Sequence, residues 1–142
     1  MLKVLIPVDD SECSGRAVDH VIAHLPVDKG GVEIHLLTVH PPIPYARATA
    51  MIGNDKVAQY YEEEGVATLK SACAKLDVAK LPYKRHIIVG NPADVIVHFA
   101  QEHGIGQIVI GTHGRGKVGK FLLGSVANKV VHLSEVPVLM IK

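Results

Sequence analysis

Apolar residues along the chain follow two spacings in turn, and this alternation predicts strands that are separated by helices. The strand segments are short, continuous aliphatic runs, whereas the helix segments repeat their apolar residues every three to four positions. Strands are predicted at 3–8, 32–39, 83–90, 107–111 and 136–141, and helices at 14–25, 54–76, 93–103 and 125–133. Strands that alternate with helices are typical of an α/β fold with a parallel sheet, and uninterrupted aliphatic strands indicate helices on both faces.

Local signals refine this pattern at several points. Asn91 and Pro92 form a cap and a first helical residue, so they mark the start of the third helix. Three prolines within 40–44 exclude a helix or a central strand there, and the resulting loop over 40–53 is of a length that is usually functional or mobile. On the helix at 54–76, the spacing predicts inward-facing side chains at Val57, Tyr60, Tyr61, Val66, Leu69 and Ala72.

Length and composition predict one globular domain over 1–142, since 48% of the residues are hydrophobic and 20% are charged. No apolar run approaches the roughly 18 residues of a membrane span, and the first residues are unlike a signal peptide. The net charge of +1 gives no reason to expect a nucleic-acid surface. The two cysteines, Cys13 and Cys73, form no metal or disulfide pattern, so a reducing cytoplasm is expected.

A glycine-rich stretch from Gly111 to Ser125 is the main candidate for binding chemistry. It contains a dinucleotide fingerprint, G-x-G-x-x-G, that begins at Gly114, but this fingerprint belongs after a first strand and here follows the fourth. It also contains most of a P-loop, but Val118 stands where the hydroxyl that binds magnesium is required. Neither motif has its proper context.

The physical properties of the same stretch nevertheless favour an anion site. Glycines let a ligand approach the backbone closely and can adopt a positive φ. Gly124 precedes the fourth helix and Ser125 begins it, where free N–H groups and the helix dipole attract phosphate. Arg115 supplies positive charge, and Ser125 adds a hydroxyl. The alternative is that the glycines only form a tight connection between strand and helix, although the stretch is longer than such a turn requires.

Several motifs in one order give the chain a resemblance to a known family. The pattern Gly111-x2-Gly114-x9-Gly124-Ser125 matches the nucleotide-binding signature of the universal stress proteins, and the chain is similar to that family along its whole length. Further matching segments are Ile6–Glu12, Leu37–Pro42, Gly90–Ile96 and Pro137–Leu139. Asp10 stands where such proteins often carry glycine, a departure that removes no group the resemblance requires.

The resemblance implies an open five-stranded parallel sheet of order 3-2-1-4-5, an adenine nucleotide alpha hydrolase-like fold. Ligands of open α/β sheets lie where the winding direction reverses, here between the ends of the first and fourth strands. Asp9 can accept hydrogen bonds from a ribose hydroxyl or the adenine amino group, or can serve only as a turn carboxylate. The resemblance implies that the Val39 backbone contacts the adenine edge. The expected binding residues are Pro7, Val8, Asp9, Val39, Ile110, Gly111, Gly114, Arg115, Gly124, Ser125 and Val126.

The function that the resemblance implies is ATP binding by a cytoplasmic stress-response or signalling protein, with magnesium or manganese carried in by the phosphates. The enzymatic alternative is a slow ATPase or phosphotransferase, and a third class is a nucleotide-free dimeric interaction module. No catalytic residue is predicted, because neither a Gly-x-Ser-x-Gly motif nor a general base for hydrolysis is evident. The nine histidines show no metal-ligand set. A response-regulator receiver lacks support, since no carboxylate ends the third strand.

The last strand predicts assembly. It is apolar and is expected to form an edge of the sheet, and an uncovered apolar edge is a template for another chain. Pro137 lacks an N–H, so pairing is expected over Val138 to Ile141 in a two-fold homodimer, which the resemblance also implies. The alternative is that the long loop or the N-terminal residues cover this edge. Neither nucleic acid nor a membrane is expected as a partner.

Overall fold

The computed structural model describes residues 1–43, 53–112 and 124–142, and its centre is a five-stranded sheet. The strands are β1 (Leu2–Pro7), β2 (Val32–His40), β3 (Tyr83–Val89), β4 (Gln107–Gly111) and β5 (Val138–Ile141). The helices are α1 (Glu12–His24), α2 (Asn54–Val78), α3 (Pro92–Glu102) and α4 (Ser125–Leu133), with a 3-10 turn at Val27–Lys29. The sheet order is β3-β2-β1-β4-β5, and each of the neighbouring pairs is parallel. The expected fold class is therefore confirmed.

Helices cover both faces of the sheet, which explains why the strands are aliphatic without interruption. α1 and α2 pack on one face, where they bury the strand residues Val4, Ile6, Ile34, Leu36 and Val109. α3 and α4 pack on the other face, where they bury Leu5, Leu37, Ile108 and Ile110. Each fully buried aliphatic side chain of this size contributes about 1.5–3 kcal/mol relative to an exposed one. The two cores hold the carboxyl ends of β1 and β4 at fixed positions.

The buried face of α2 differs from the prediction at two positions. Tyr60 is 37% exposed and Val66 is 38% exposed, so the inward orientation expected for these two side chains is wrong. The buried face runs instead through Gly65 and Leu69. A Cβ on Gly65 would lie 2.8 Å from Cδ1 of Ile87 in β3, so only glycine allows α2 to approach the sheet this closely. Because glycine has no apolar side chain, the hydrophobic spacing moved the predicted face onto its neighbour.

β5 begins at Val138, two residues later than the aliphatic pattern predicts. The hydroxyl of Ser134 donates to the carbonyl of Val136 at 2.8 Å and accepts from the N–H of the same residue at 3.1 Å, so these residues form a turn. Pro137 has no N–H, but its carbonyl accepts from the N–H of Ile108 at 2.9 Å. The proline therefore provides the first contact of the β4–β5 ladder without being part of the strand.

Candidate functional site

A cleft opens at the carboxyl ends of β1 and β4, where the winding direction of the sheet reverses. Its volume is about 270 Å³. The described lining residues are Pro7, Val8, Asp9, Ser11, Ser14, Leu37, Thr38, Val39, His40, Pro41, Thr68, Pro92, Ile96, Ile110, Gly111, Gly124, Ser125, Val126 and Ala127. Apolar walls with a few convergent polar groups are typical of a site for a small molecule.

Asp9 follows β1 and is held by the first turn of α1. Its Oδ1 accepts from the N–H of Ser11 at 2.8 Å, and its carbonyl accepts from the hydroxyl of Ser14 at 2.9 Å. No hydrogen bond to Oδ2 of Asp9 comes from residues 1–43, 53–112 or 124–142, so this oxygen is available to a ligand donor. Asp9 therefore combines the two roles that the sequence leaves open, since it is a turn carboxylate and also lines the cleft.

Gly111 ends β4 and lies against the first turn of α1. A Cβ at this position would lie 2.7 Å from Cβ of Cys13, 2.8 Å from its carbonyl carbon and 3.0 Å from the nitrogen of Ser14. Two of these atoms belong to the backbone and cannot rotate away. The sequence assigns this glycine to close approach of a ligand, and the structure adds a packing role: it lets α1 rest on β4 beside the cleft.

Thr112 and Gly124 join the two ends of the segment 113–123. The N–H of Gly124 donates to the carbonyl of Thr112. The N–H of Thr112 donates to the carbonyl of Ile141 at 2.8 Å, which ties the same point to the end of β5. The position of Gly124 is therefore determined by the sheet, and with it the position at which α4 begins.

The start of α4 lies at the cleft, where Gly124, Ser125 and Val126 are lining residues. α1 is capped by Ser11, whose hydroxyl accepts from the N–H of Ser14 at 3.2 Å, whereas in the described chain no side chain caps α4. Free N–H groups together with the helix dipole favour an anion at this position. Gly124 has a φ of −57°, which any residue adopts, so a positive φ is not what requires glycine here.

The end of β2 forms the opposite wall of the cleft, where Val39 and His40 are lining residues. The ring of His40 packs edge-on against Tyr60 and Tyr61, with centroid distances of 5.6 and 5.1 Å. The hydroxyl of Tyr61 accepts from the N–H of Ile43 at 2.9 Å, so α2 also holds the chain that follows β2. From the sequence, the backbone of Val39 is expected at the adenine edge, whereas His40 and the two tyrosines are not predicted.

The residues that α2 and α3 contribute to the cleft are not predicted from the sequence. Thr68 of α2 and Pro92 and Ile96 of α3 line the cleft. The helix-start signal at Asn91 and Pro92 could have located one of them, because a helix that follows a parallel strand begins at the carboxyl edge of the sheet. The apolar spacing of α3 gives no comparable signal for Ile96, which the sequence places only in the family-like segment Gly90–Ile96.

Nine of the eleven expected binding residues line the cleft, namely Pro7, Val8, Asp9, Val39, Ile110, Gly111, Gly124, Ser125 and Val126. The other two, Gly114 and Arg115, lie outside the described residues. Asp9 and His40 are the titratable side chains among the described lining residues. Over the described ranges there is no group of three or more metal-binding side chains and no helix long and apolar enough to cross a membrane.

Comparison with known proteins identifies the family. The model of the universal stress protein family matches residues 1–142, and the chain therefore belongs to the universal stress protein family. Universal stress protein MJ0531 of Methanocaldococcus jannaschii is 29% identical over 140 residues, which cover 99% of this chain and 81% of that protein.

Solved structures share the same fold. The structure of MJ0577, a universal stress protein of Methanocaldococcus jannaschii, superposes with a TM-score of 0.80 at 29% identity and covers 99% of this chain and 95% of its own. The universal stress protein of Archaeoglobus fulgidus in complex with dAMP superposes with a TM-score of 0.71 at 23% identity and covers 100% of this chain and 98% of its own.

Proposed function

We propose that this protein binds ATP in the cleft and acts as a stress-response or signalling protein of the cytoplasm. The cleft joins apolar walls, a carboxylate and a free helix start, which are the surroundings that an adenine ring, a ribose and phosphates require. Neither Cys13 nor Cys73 forms a disulfide in the described part of the chain, which fits a reducing compartment.

The apolar part of the cleft suits the base. Pro7, Val39 and Ile110 provide wall surface at the ends of three adjacent strands, β1, β2 and β4. Asp9 lines the same cleft, where its Oδ2 can accept from a ribose hydroxyl or the adenine amino group. An adenine nucleoside would thus have stacking surface and one charged acceptor.

The start of α4 carries the proposal, because it leaves uncapped N–H groups at the same cleft that holds Asp9. Phosphates at this position would receive hydrogen bonds from the first turn and from the Ser125 hydroxyl. Gly114 and Arg115 remain part of the proposed phosphate site on the strength of the sequence. A magnesium or manganese ion would be held mainly by the phosphates, as such ions require few protein ligands. The dAMP complex of the Archaeoglobus fulgidus protein supports an adenine nucleotide as the ligand class.

The test removes one phosphate-facing N–H without removing the helix. Ser125→Pro places proline at the first residue of α4, a position that tolerates it, and the preceding Gly124 already has an extended ψ of 147°. Ser125→Ala is the matched control, because it loses the hydroxyl and keeps the N–H. Hydrogen bonds to a charged group contribute about 1.5–3 kcal/mol, so we expect Ser125→Pro to weaken ATP binding by about tenfold or more in calorimetry. Unchanged ATP affinity in a folded Ser125→Pro protein would contradict the proposal.

Two further measurements separate binding from the alternatives. Mass analysis of the purified protein would identify a retained nucleotide, and its absence together with no measurable ATP affinity would favour the nucleotide-free interaction module. Release of phosphate above background would instead favour the slow ATPase or phosphotransferase. Asp9 and His40 are the titratable groups among the described lining residues, and both already make contacts within the protein. Binding without rapid hydrolysis is therefore the expected result.

The homodimer through Val138 to Ile141 is the second part of the proposal. β5 pairs with β4 on one side and is the last strand of the sheet on the other. Apolar side chains remain exposed around it: Met140 is 40% exposed and Leu133 is 45% exposed. A second copy that continued the sheet would pair the free backbone groups and cover these side chains.

A further inference from the structure

A cluster of histidines lies beneath the carboxyl-terminal part of α3, outside the lining of the cleft. His35 in β2 is 4% exposed, and His86 in β3 stacks beside it with an interplanar angle of 13°. From α3, Phe99 packs on His86 with a centroid distance of 4.6 Å, and His103 stacks on Phe99 at 3.9 Å. The proposed ATP site uses none of these side chains. His35 is buried, His86 is half-buried and His103 is exposed, and a histidine as deeply buried as His35 is unusual in an apolar core.

The two strand histidines form one hydrogen-bonded pair, with 3.0 Å between Nδ1 of His35 and Nε2 of His86. Nε2 of His35 is buried without a hydrogen bond of good geometry and lies 3.3 Å from Oε2 of Glu33. A hydrogen on this nitrogen is favoured, because a lone pair would face the carboxylate. Nδ1 of His35 is then the acceptor, and the Nε2–H of His86 donates to it. This arrangement is kept without rearrangement as long as Nδ1 of His35 carries no hydrogen.

Charged groups surround the pair from every element packed against it. Lys3 from β1 lies 3.9 Å from the Glu33 carboxylate, and Lys84 from β3 lies 2.9 Å from it. His103 from α3 is 5.9 Å from His86, measured between ring centroids. Lys3, Lys84 and His103 disfavour protonation of the pair. Among these neighbouring groups, the carboxylate of Glu33 favours it.

Protonation of both rings would separate the pair. Both nitrogens of the 3.0 Å contact would then carry hydrogen, so the hydrogen bond could not form. Burial lowers the pKa of His35 and of His86 below the usual 6.5. A state in which the rings are released has pKa values nearer 6.5 and binds more protons, so a fall in pH below about 6.5 favours that state.

α3 connects this pair with the cleft. Its carboxyl-terminal part contacts the histidines through Phe99, whereas Pro92 and Ile96 at its amino-terminal part line the cleft. Eleven helical residues at about 1.5 Å each span about 16 Å, so both ends move together if the helix moves as a body. A shift that releases Phe99 from His86 would therefore displace one wall of the nucleotide site.

We propose that the His35–His86 pair is a proton-sensitive latch, which holds α3 on the sheet at neutral pH and weakens nucleotide binding when mild acid opens it. This inference rests on the proposed ATP site and adds its regulation. The latched state is the binding-competent one, so the apparent affinity falls with the fraction of molecules that remain latched.

The test compares ATP affinity at about pH 7.5 and about pH 5.5, the range in which histidines titrate. The double variant His35→Leu/His86→Leu replaces the pair by apolar side chains that cannot be protonated, so it should lose only the affinity that protonation of the ATP phosphates costs every variant. The wild type should lose about fivefold or more beyond that, the lower end of typical coupling between sites. His98→Gln is the matched control on the exposed side of α3, where the side chain is 69% exposed, and it should behave like the wild type. Protonation of the ATP phosphates affects all variants equally.

Three outcomes would overturn the latch. The first is equal pH dependence of ATP affinity in the double variant and the wild type. The second is a pH dependence that disappears in His40→Gln, which would assign it to the histidine that lines the cleft. The third does not involve nucleotide and is measured by urea unfolding. Between about pH 7.5 and about pH 5.5 the free energy of unfolding should fall more in the wild type than in the double variant. Equal falls in the two proteins would contradict the latch. No ATP binding by the wild type at neutral pH would overturn the proposed function and the coupling, while the unfolding comparison would still decide whether the pair responds to protons.

Discussion

The α-carbon of Gly111 lies directly against Cys13, so closely that a Cβ on the glycine would be 2.7 Å from Cβ of the cysteine. This contact seats the first turn of α1 on the end of β4. The same turn holds Asp9 through Ser11 and Ser14, so the packing of one glycine positions the carboxylate of the cleft.

Gly111→Ala should therefore destabilise the fold and weaken ATP binding at the same time. Extra methyl groups in a well-packed site typically cost about 1–3 kcal/mol, and here two of the three opposed atoms are backbone. Urea unfolding and calorimetry measure the two effects. Gly31→Ala is the control, because its nearest contact would be 3.8 Å and its stability should hardly change. An equal loss in both variants would contradict the packing role of Gly111.

Asp9→Asn should reduce ATP affinity more than affinity for inorganic triphosphate. The amide oxygen can still accept from the N–H of Ser11, so the turn is kept, whereas Oδ2 is replaced by a donor. Loss of one ligand hydrogen bond costs about 0.5–1.5 kcal/mol, which is about two- to tenfold in affinity. Calorimetry with both ligands provides the comparison. Equal losses would show that Asp9 serves only the turn.

Glu33→Gln should make the free energy of unfolding depend less steeply on pH in the acid range. The Lys84 ammonium and then the His35 ring lower the pKa of Glu33 from 4.5 to about 2. Since the folded pKa is below the unfolded one, the stability that this carboxylate contributes is present above pH 4.5 and is lost as the pH falls toward 2. Chemical unfolding at a series of acid pH values measures the slope. Glu12→Gln, whose side chain is 95% exposed, should leave that slope unchanged.

Met140→Lys should convert the expected dimer into monomers. Leu139 and Ile141 pack against the core beneath α1, so they are poor sites for this test, whereas Met140 is 40% exposed. The substitution places two like charges near the two-fold axis. Sedimentation at micromolar concentration measures the mass, with Val78→Lys as a control at an 84% exposed position on α2. A monomeric wild type, or a Met140→Lys dimer that stays intact, would contradict an interface at β5.

The elements of the fold follow from local patterns, but their lateral order does not. The aliphatic runs predict all five strands to within two residues, because burial on both faces requires such runs. The order β3-β2-β1-β4-β5 depends on contacts between distant segments and came only from the resemblance to a family. The error at Val66 has the same origin, since the close approach of Gly65 to Ile87 is a tertiary contact that hydrophobic spacing cannot detect.

The residues of the candidate site also fall into those that local sequence signals predict and those that they do not. Asp9 and Ser125 could be predicted because each stands at the end or start of a recognisable element. Thr68 could not, because it joins the cleft only through the packing of α2 beside β2, and His40, which ends β2 after Val39, carries no signal of its own. His35 and His86 lie on neighbouring strands, where His86 pairs with Leu37, two residues after His35. Each resembles an ordinary strand residue in the sequence, because their contact depends on the pairing of β2 with β3 and on the packing of α3.

The hydrogen bond from Gly124 to Thr112 makes the intervening segment exchangeable. Its two ends are already joined, and Thr112 is tied to Ile141, so contacts within the described residues fix both ends of the eleven-residue segment 113–123. Closing a loop of twice this length would cost only about 0.6 kcal/mol more. Segments of other lengths and sequences could therefore be grafted between the same two residues to change which anion the protein prefers, while the scaffold around Asp9 and α4 stays as it is.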